Sequence, residues 1–115
     1  MTYSNVAKTK YLDVLNEDLN NYGAVSEQVA LGMSKGLLKL ADCSIATTGI
    51  LGPTGGSIEK PIGLVYISLG YKDKIKVIKY ISKKAYTNNR YKIKKDIVKY
   101  ALKEFYSFLK EELDG

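Results

Sequence analysis

The sequence predicts an α/β domain with helices packed on a mixed β-sheet. Three observations carry this. Apolar residues recur at helical spacing within 26–41 and again within 90–113. Three short β-branched runs, 43–50, 63–71 and 74–82, lie between those stretches. The resulting order is helix, helix, strand, strand, strand, helix. The length of 115 residues fits one domain spanning 1–115.

The first helix is expected behind Ser4 or Asn5, either of which suits an N-cap, with Val6, Tyr11, Leu12 and Leu15 on one face. "NEDLNNYG" (16–23) reads as a short helical turn closed by Gly23. Ser26 caps the next helix and Glu27 favours its first turn. Val29, Ala30, Met33, Leu37, Leu40 and Ala41 form its apolar face, while Gly32 and Gly36 leave room for close approach to a sheet. "CSIATTGI" (43–50) reads as a buried strand, with Cys43 a structural cysteine at its start. "GLVYISLGY" (63–71) and "KIKVIKYIS" (74–82) form a hairpin about Lys72-Asp73, with a bulge where the alternation slips near Ile78. Residues 83–91 are a loop. An amphipathic helix then runs from Arg90 to about Leu113, with Ile93, Ile97, Ala101, Phe105 and Leu109 four apart.

Composition removes several function classes. Hydrophobic residues make up 45% and charged residues 26%, as in globular rather than disordered chains. No apolar run approaches the roughly 20 residues of a membrane span, and "MTYSNVAKTK" is no signal peptide. One cysteine permits no internal disulfide, so the expected compartment is the cytoplasm. The absence of histidine removes the Ser-His-Asp triad, the Cys-His pair and His-based metal sites. No metal and no cofactor is expected. Acid–base chemistry is left to Lys, Tyr, Asp and Glu. Net charge is +6, yet residues 71–100 alone carry +9. That asymmetry fits a nucleic-acid footprint, but lysines alternating with apolar residues also describe a solvated face, which is the preferred reading.

The densest feature is "TGILGPTGGSIEKPIG" (48–63), with five glycines and two prolines in sixteen residues. Read alone, it is a turn or an anion cradle in which Gly49, Gly52, Gly55 and Gly56 let backbone N–H groups approach a ligand. It is not a Walker A loop. Thr48, at a strand end, is placed to hydrogen-bond a substrate. Glu59 and Lys60 either brace the loop as an ion pair or contact a ligand. Arg90 is either a phosphate clamp or a surface arginine at a helix start. Ser57 lacks a nucleophile-elbow setting.

Three stretches together, "TYSNVAK" (2–8), "GAVSEQVA" (23–30) and "TGILGPTGGSIEKPIGLVYI" (48–67), resemble the CinA C-terminal domain family. That family includes the PncC-like nicotinamide-nucleotide amidohydrolases. The resemblance implies an α/β/α fold and hydrolysis of nicotinamide mononucleotide to nicotinate mononucleotide and ammonia. It implies Lys8 as general base for a serine nucleophile, with Tyr3 orienting the lysine or donating to the oxyanion. It also implies that Thr48, the loop glycines, Glu59 and Arg90 contact the nucleotide. Family members carry the nucleophile in an E-S-x-T-G-G motif on a preceding helix-strand-helix unit, which these 115 residues do not contain. The chain is therefore expected to be inactive alone. The alternative is a split or non-catalytic fragment that binds a nucleotide, a second copy or a complementing N-terminal chain. A basic nucleic-acid-binding module is the third reading. Two departures stand out: Asn88-Asn89-Arg90 where the family has G-D-R, and Leu51 where it has a small residue.

Overall fold

A computed structural model describes residues 14–52 and 54–114. Helix α1 (Asn16–Tyr22) carries Glu17 and Asp18 in its first turn, where the dipole favours acids. It stops at Gly23, whose φ of 81° lets its N–H return to the Leu19 carbonyl at 3.1 Å. The helix expected behind Ser4 or Asn5 lies outside the described residues. Leu15, assigned to its face, is exposed just before α1.

Helix α2 (Glu27–Leu37) starts as predicted, because Ser26 Oγ accepts from the Val29 N–H at 3.3 Å. Val29, Ala30 and Met33 are buried along its inner face, and Gly32 and Gly36 are buried too. The helix is shorter than its apolar periodicity suggests. After Leu37 the chain tightens into turns, with Leu40 N–H on Leu37 O, and Leu40 and Ala41 face solvent.

Strands β1 (Cys43–Gly49), β2 (Leu64–Tyr71) and β3 (Lys74–Ile81) form a sheet in the order β1-β2-β3. Both pairings are antiparallel, so the described part of the expected mixed sheet holds no parallel pair. Central β2 is buried on both faces, as its near-continuous apolar run requires. β1 instead alternates, and Cys43 at its start is exposed rather than structural.

The β2–β3 register runs unbroken from Leu64↔Ile81 to Tyr71↔Lys74, so there is no bulge at Ile78. The sequence slips there because β3 is covered on both sides. Val77 lies on the face of its partner Ser68, towards α2, while Ile78 joins the opposite core. The hairpin turn needs a positive φ, and Lys72 supplies it at 56°.

Helix α3 (Arg90–Asp114) lies on the other face. Ile93, Ile97, Ala101 and Phe108 pack against Val65, Ile67 and Leu69 of β2. Fully burying each large aliphatic side chain contributes about 1.5–3 kcal/mol. On the first face, Val29 and Met33 of α2 meet Ala46 of β1 and Val14. Helices thus sandwich the sheet in three layers. At β2 the layering is tight: a Cβ on Gly70 would lie 2.6 Å from Ser44 Oγ and 2.8 Å from Leu38 Cδ1.

Candidate functional site

The chain from Ile50 to Gly63 joins two antiparallel neighbours, and it is a built structure rather than a slack connection. Its base continues the ladder, with Ile50 N–H on Leu64 O at 2.9 Å and Gly63 N–H on Ile50 O at 2.7 Å. Its far end turns at Ser57–Lys60, where Ser57 N–H reaches Lys60 O (2.9 Å) and Lys60 N–H reaches Ser57 Oγ (3.0 Å).

The loop is anchored from within by Ile62. A Cβ on Gly52 would fall 2.8 Å from Ile62 Cγ2, and one on Gly56 would fall 2.8 Å from Ile62 Cγ1. Those two glycines make room for the isoleucine. Leu51, the residue that departs from the family pattern, packs with Ile62 against the α3-side core. Gly49 is held for close approach to Val65, 3.1 Å from a Cβ built there. Gly55 differs. It has φ 96°, is exposed and meets almost nothing. Among the described residues, no hydrogen bond occupies the N–H of Gly55 or Gly56.

Two side chains tie the loop end of the sheet to the α1–α2 turn. Thr48 Oγ1 is buried and donates to the Ala24 carbonyl at 2.7 Å. That bond uses its one donor, leaving the oxygen lone pairs to accept. Lys60 Nζ donates to the Tyr22 carbonyl at the C-terminus of α1, where the helix dipole favours a cation. Lys60 therefore braces the loop through a helix end, and not through the Glu59 ion pair that the sequence offered. Glu59 is exposed and forms no ion pair with it among the described residues. The second and third sequence motifs thus meet in space.

On the other side, Arg90 Nη1 donates to Gly52 O at 3.2 Å and holds the loop beside the N-terminus of α3. The two residues before it make that start possible. Asn88 adopts the left-handed conformation (φ 48°, ψ 31°) that favours glycine, and asparagine is the side chain that tolerates it best. Asn89 Oδ1 accepts from the Lys92 N–H at 3.1 Å, an N-cap that aspartate would also supply. Asn-Asn thus does the backbone work of Gly-Asp. The capping signature was readable in the sequence. Lys60's partner was not, since the two lie 38 residues apart. Lys8 and Tyr3 lie outside the described residues.

A second feature flanks α3. Asp96 accepts from Ser82 Oγ at 2.7 Å and from Tyr80 Oη at 2.8 Å. Burial pushes its pKa up, but the Ser82 and Tyr80 hydrogen bonds and the charge of Lys83 outweigh it and hold it below the ordinary carboxylate value. Burial and then Asp96 raise the Tyr80 phenol.

Residues 1–109 match the family described as the CinA C-terminal domain. A competence-damage inducible protein of Caldicellulosiruptor saccharolyticus is 46% identical over 104 residues, which are 89% of this chain and 24% of that protein. A CinA-like protein of Fusobacterium nucleatum is 53% identical over 79 residues, 69% of this chain and 19% of that one. The chain thus spans about a quarter or less of these relatives. Among solved structures, the competence/damage inducible protein of Agrobacterium tumefaciens aligns with a TM-score of 0.81 at 36% identity, covering 92% of this chain and 64% of that one. A CinA superfamily protein of Klebsiella pneumoniae aligns at 0.83 and 28% identity, covering 96% and 68%.

Proposed function

Because the chain belongs to the CinA C-terminal domain family, we propose that it forms the nucleotide-binding side of an amidohydrolase acting on nicotinamide mononucleotide. One observation carries this reading. The glycine loop is fixed at both ends, by Lys60 on α1 and by Arg90 on Gly52, while among the described residues no hydrogen bond occupies the N–H of Gly55 or Gly56. Backbone N–H groups held in a braced loop suit a phosphate monoester. The remaining Arg90 N–H groups add a charged fork.

In the proposed reaction a serine hydroxyl attacks the carboxamide carbon and Lys8 takes its proton. The proton passes to the departing ammonia, and water then releases nicotinate mononucleotide from the acyl-serine. The roles of Lys8 and Tyr3 rest on the resemblance alone. The serine belongs to a segment that has no counterpart in these 115 residues. On their own they are proposed to bind the nucleotide without turning it over.

Calorimetry with nicotinamide mononucleotide, together with an ammonia assay, tests this. The expected outcome is binding, weakened about tenfold by Arg90→Ala as a charge-assisted hydrogen bond is lost, with ammonia released only when a polypeptide bearing the E-S-x-T-G-G segment is added. Robust release by the chain alone contradicts the assignment of the nucleophile, and absence of binding contradicts the site.

A further inference from the structure

The +9 segment does not spread evenly over the surface. Five of its lysines, joined by Lys103, gather in one open groove of about 890 Å³ between the end of β3, the turn that follows it, and α3. Lys83 and Lys84 stand on one wall; Lys92, Lys95, Lys99 and Lys103 stand on the other. The α3 lysines are three or four residues apart on one helix face, which sets them about 4.5–6 Å apart along the axis. None of the six forms an ion pair among the described residues. The single acid in the lining, Asp96, is committed to Ser82 and Tyr80. The groove therefore carries six lysine charges against the single carboxylate of Asp96, which Lys83 faces.

Its second property is aromatic. Tyr80 and Tyr100 stack with ring centroids 3.8 Å apart and planes within 7°, forming a rigid shelf between β3 and α3. Tyr86 and Tyr91, one on each wall, are 81% and 72% exposed. A lysine ladder alone is an ordinary solvated face. A lysine ladder lined with exposed flat rings has the chemistry of a single-strand channel, in which cations follow phosphates and bases stack on aromatics. A duplex keeps its bases stacked inside and offers such rings little.

We propose that this groove binds single-stranded nucleic acid, with Lys95, Lys99 and Lys103 on successive phosphates and Tyr86 and Tyr91 stacking on bases. No residue of the 50–63 loop lines it. The two sites stand or fall separately.

Fluorescence anisotropy of the full chain with labelled dT12 tests this. Binding is expected at low salt, with log K falling against log salt at a slope of about −2 to −3 for three or four neutralised phosphates. Lys95→Glu with Lys99→Glu is expected to abolish it while nicotinamide mononucleotide binding persists. Tyr86→Ala with Tyr91→Ala is expected to weaken dT12 binding about tenfold or more but to leave heparin binding unchanged. These four residues are exposed, so circular dichroism should report an intact fold for both variants. No dT12 binding at low salt overturns the proposal. So does a tyrosine variant that binds dT12 as the wild type does, which would leave a surface that binds any polyanion by charge alone. Phosphatidylserine vesicles bound in place of dT12 would also overturn it and make the face a membrane contact.

Discussion

Substituting Gly52 by alanine should damage the loop through two separable terms. The first is backbone strain. Gly52 has φ 80°, and a Cβ in the left-handed region costs about 1–2 kcal/mol. The second is steric. The new methyl would sit 2.8 Å from Ile62 Cγ2 and 3.3 Å from Asn88 Oδ1. Ile62 is held by the core and Asn88 by the α3 start, so overpacking adds about 1–3 kcal/mol. Gly52→Ala is thus expected to lower stability by about 2–5 kcal/mol, read as a shift in urea midpoint at constant m. Ile62→Ala separates the terms, because it removes the clashing Cγ2. In that background Gly52→Ala should cost only the strain, about 1–2 kcal/mol, giving a coupling of about 1–3 kcal/mol. A single-mutant cost under about 0.5 kcal/mol, or additive costs in the double mutant, would refute the claim that Gly52 makes room for Ile62.

Three further outcomes follow from the same geometry. Asn89→Ala removes the α3 cap and should lower stability by about 1 kcal/mol, whereas Asn88→Gly, which relieves a left-handed side chain, should leave it equal or higher; thermal midpoints check both. Asp96 is held below the ordinary carboxylate value in the folded chain, so its stabilisation is fully present above about pH 4 and is lost as pH falls through the folded value. The stability gap between wild type and Asp96→Asn, followed by urea titration, should therefore narrow below about pH 4 and stay flat between pH 6 and 8. Lys72→Gly should not destabilise the hairpin, because Lys72 pays the left-handed cost at φ 56° that glycine avoids; a loss above about 1 kcal/mol would count against this.

Local signals were legible where one residue sets the backbone. Ser26 starts α2, Gly23 stops α1, Lys72-Asp73 turns the hairpin, and the four-residue spacing from Ile93 marks α3. Signals failed where tertiary context decides. Leu40 and Ala41 continue the helical period of α2 yet lie beyond its end, because turns after Leu37 redirect the chain towards β1. The run Val77-Ile78 imitates a bulge because helices cover β3 on both faces. Cys43 reads as buried from its apolar neighbours, but it starts a strand that pairs on one side only among the described residues, at an exposed position.

The site divides the same way. Glycine density marked the loop, but sequence could not say which glycines serve packing and which stay open. Ile62 answers that, since Gly52 and Gly56 are spent on it while Gly55 is not. The basic segment was visible as charge, and its tyrosines were visible singly. Their convergence was not, because Tyr80 and Tyr100 are twenty residues apart and meet only through the packing of α3 on the sheet.

The central claim is that the open tip of the glycine loop receives the phosphate of a pyridine nucleotide. A ¹H–¹⁵N NMR titration of the chain with nicotinamide mononucleotide tests it most directly. The account predicts the largest amide shifts at Gly55, Gly56 and the start of α3 near Arg90, with inorganic phosphate moving the same amides in the same direction. Shifts absent at millimolar nucleotide, or confined to the lysine–tyrosine groove, would contradict it.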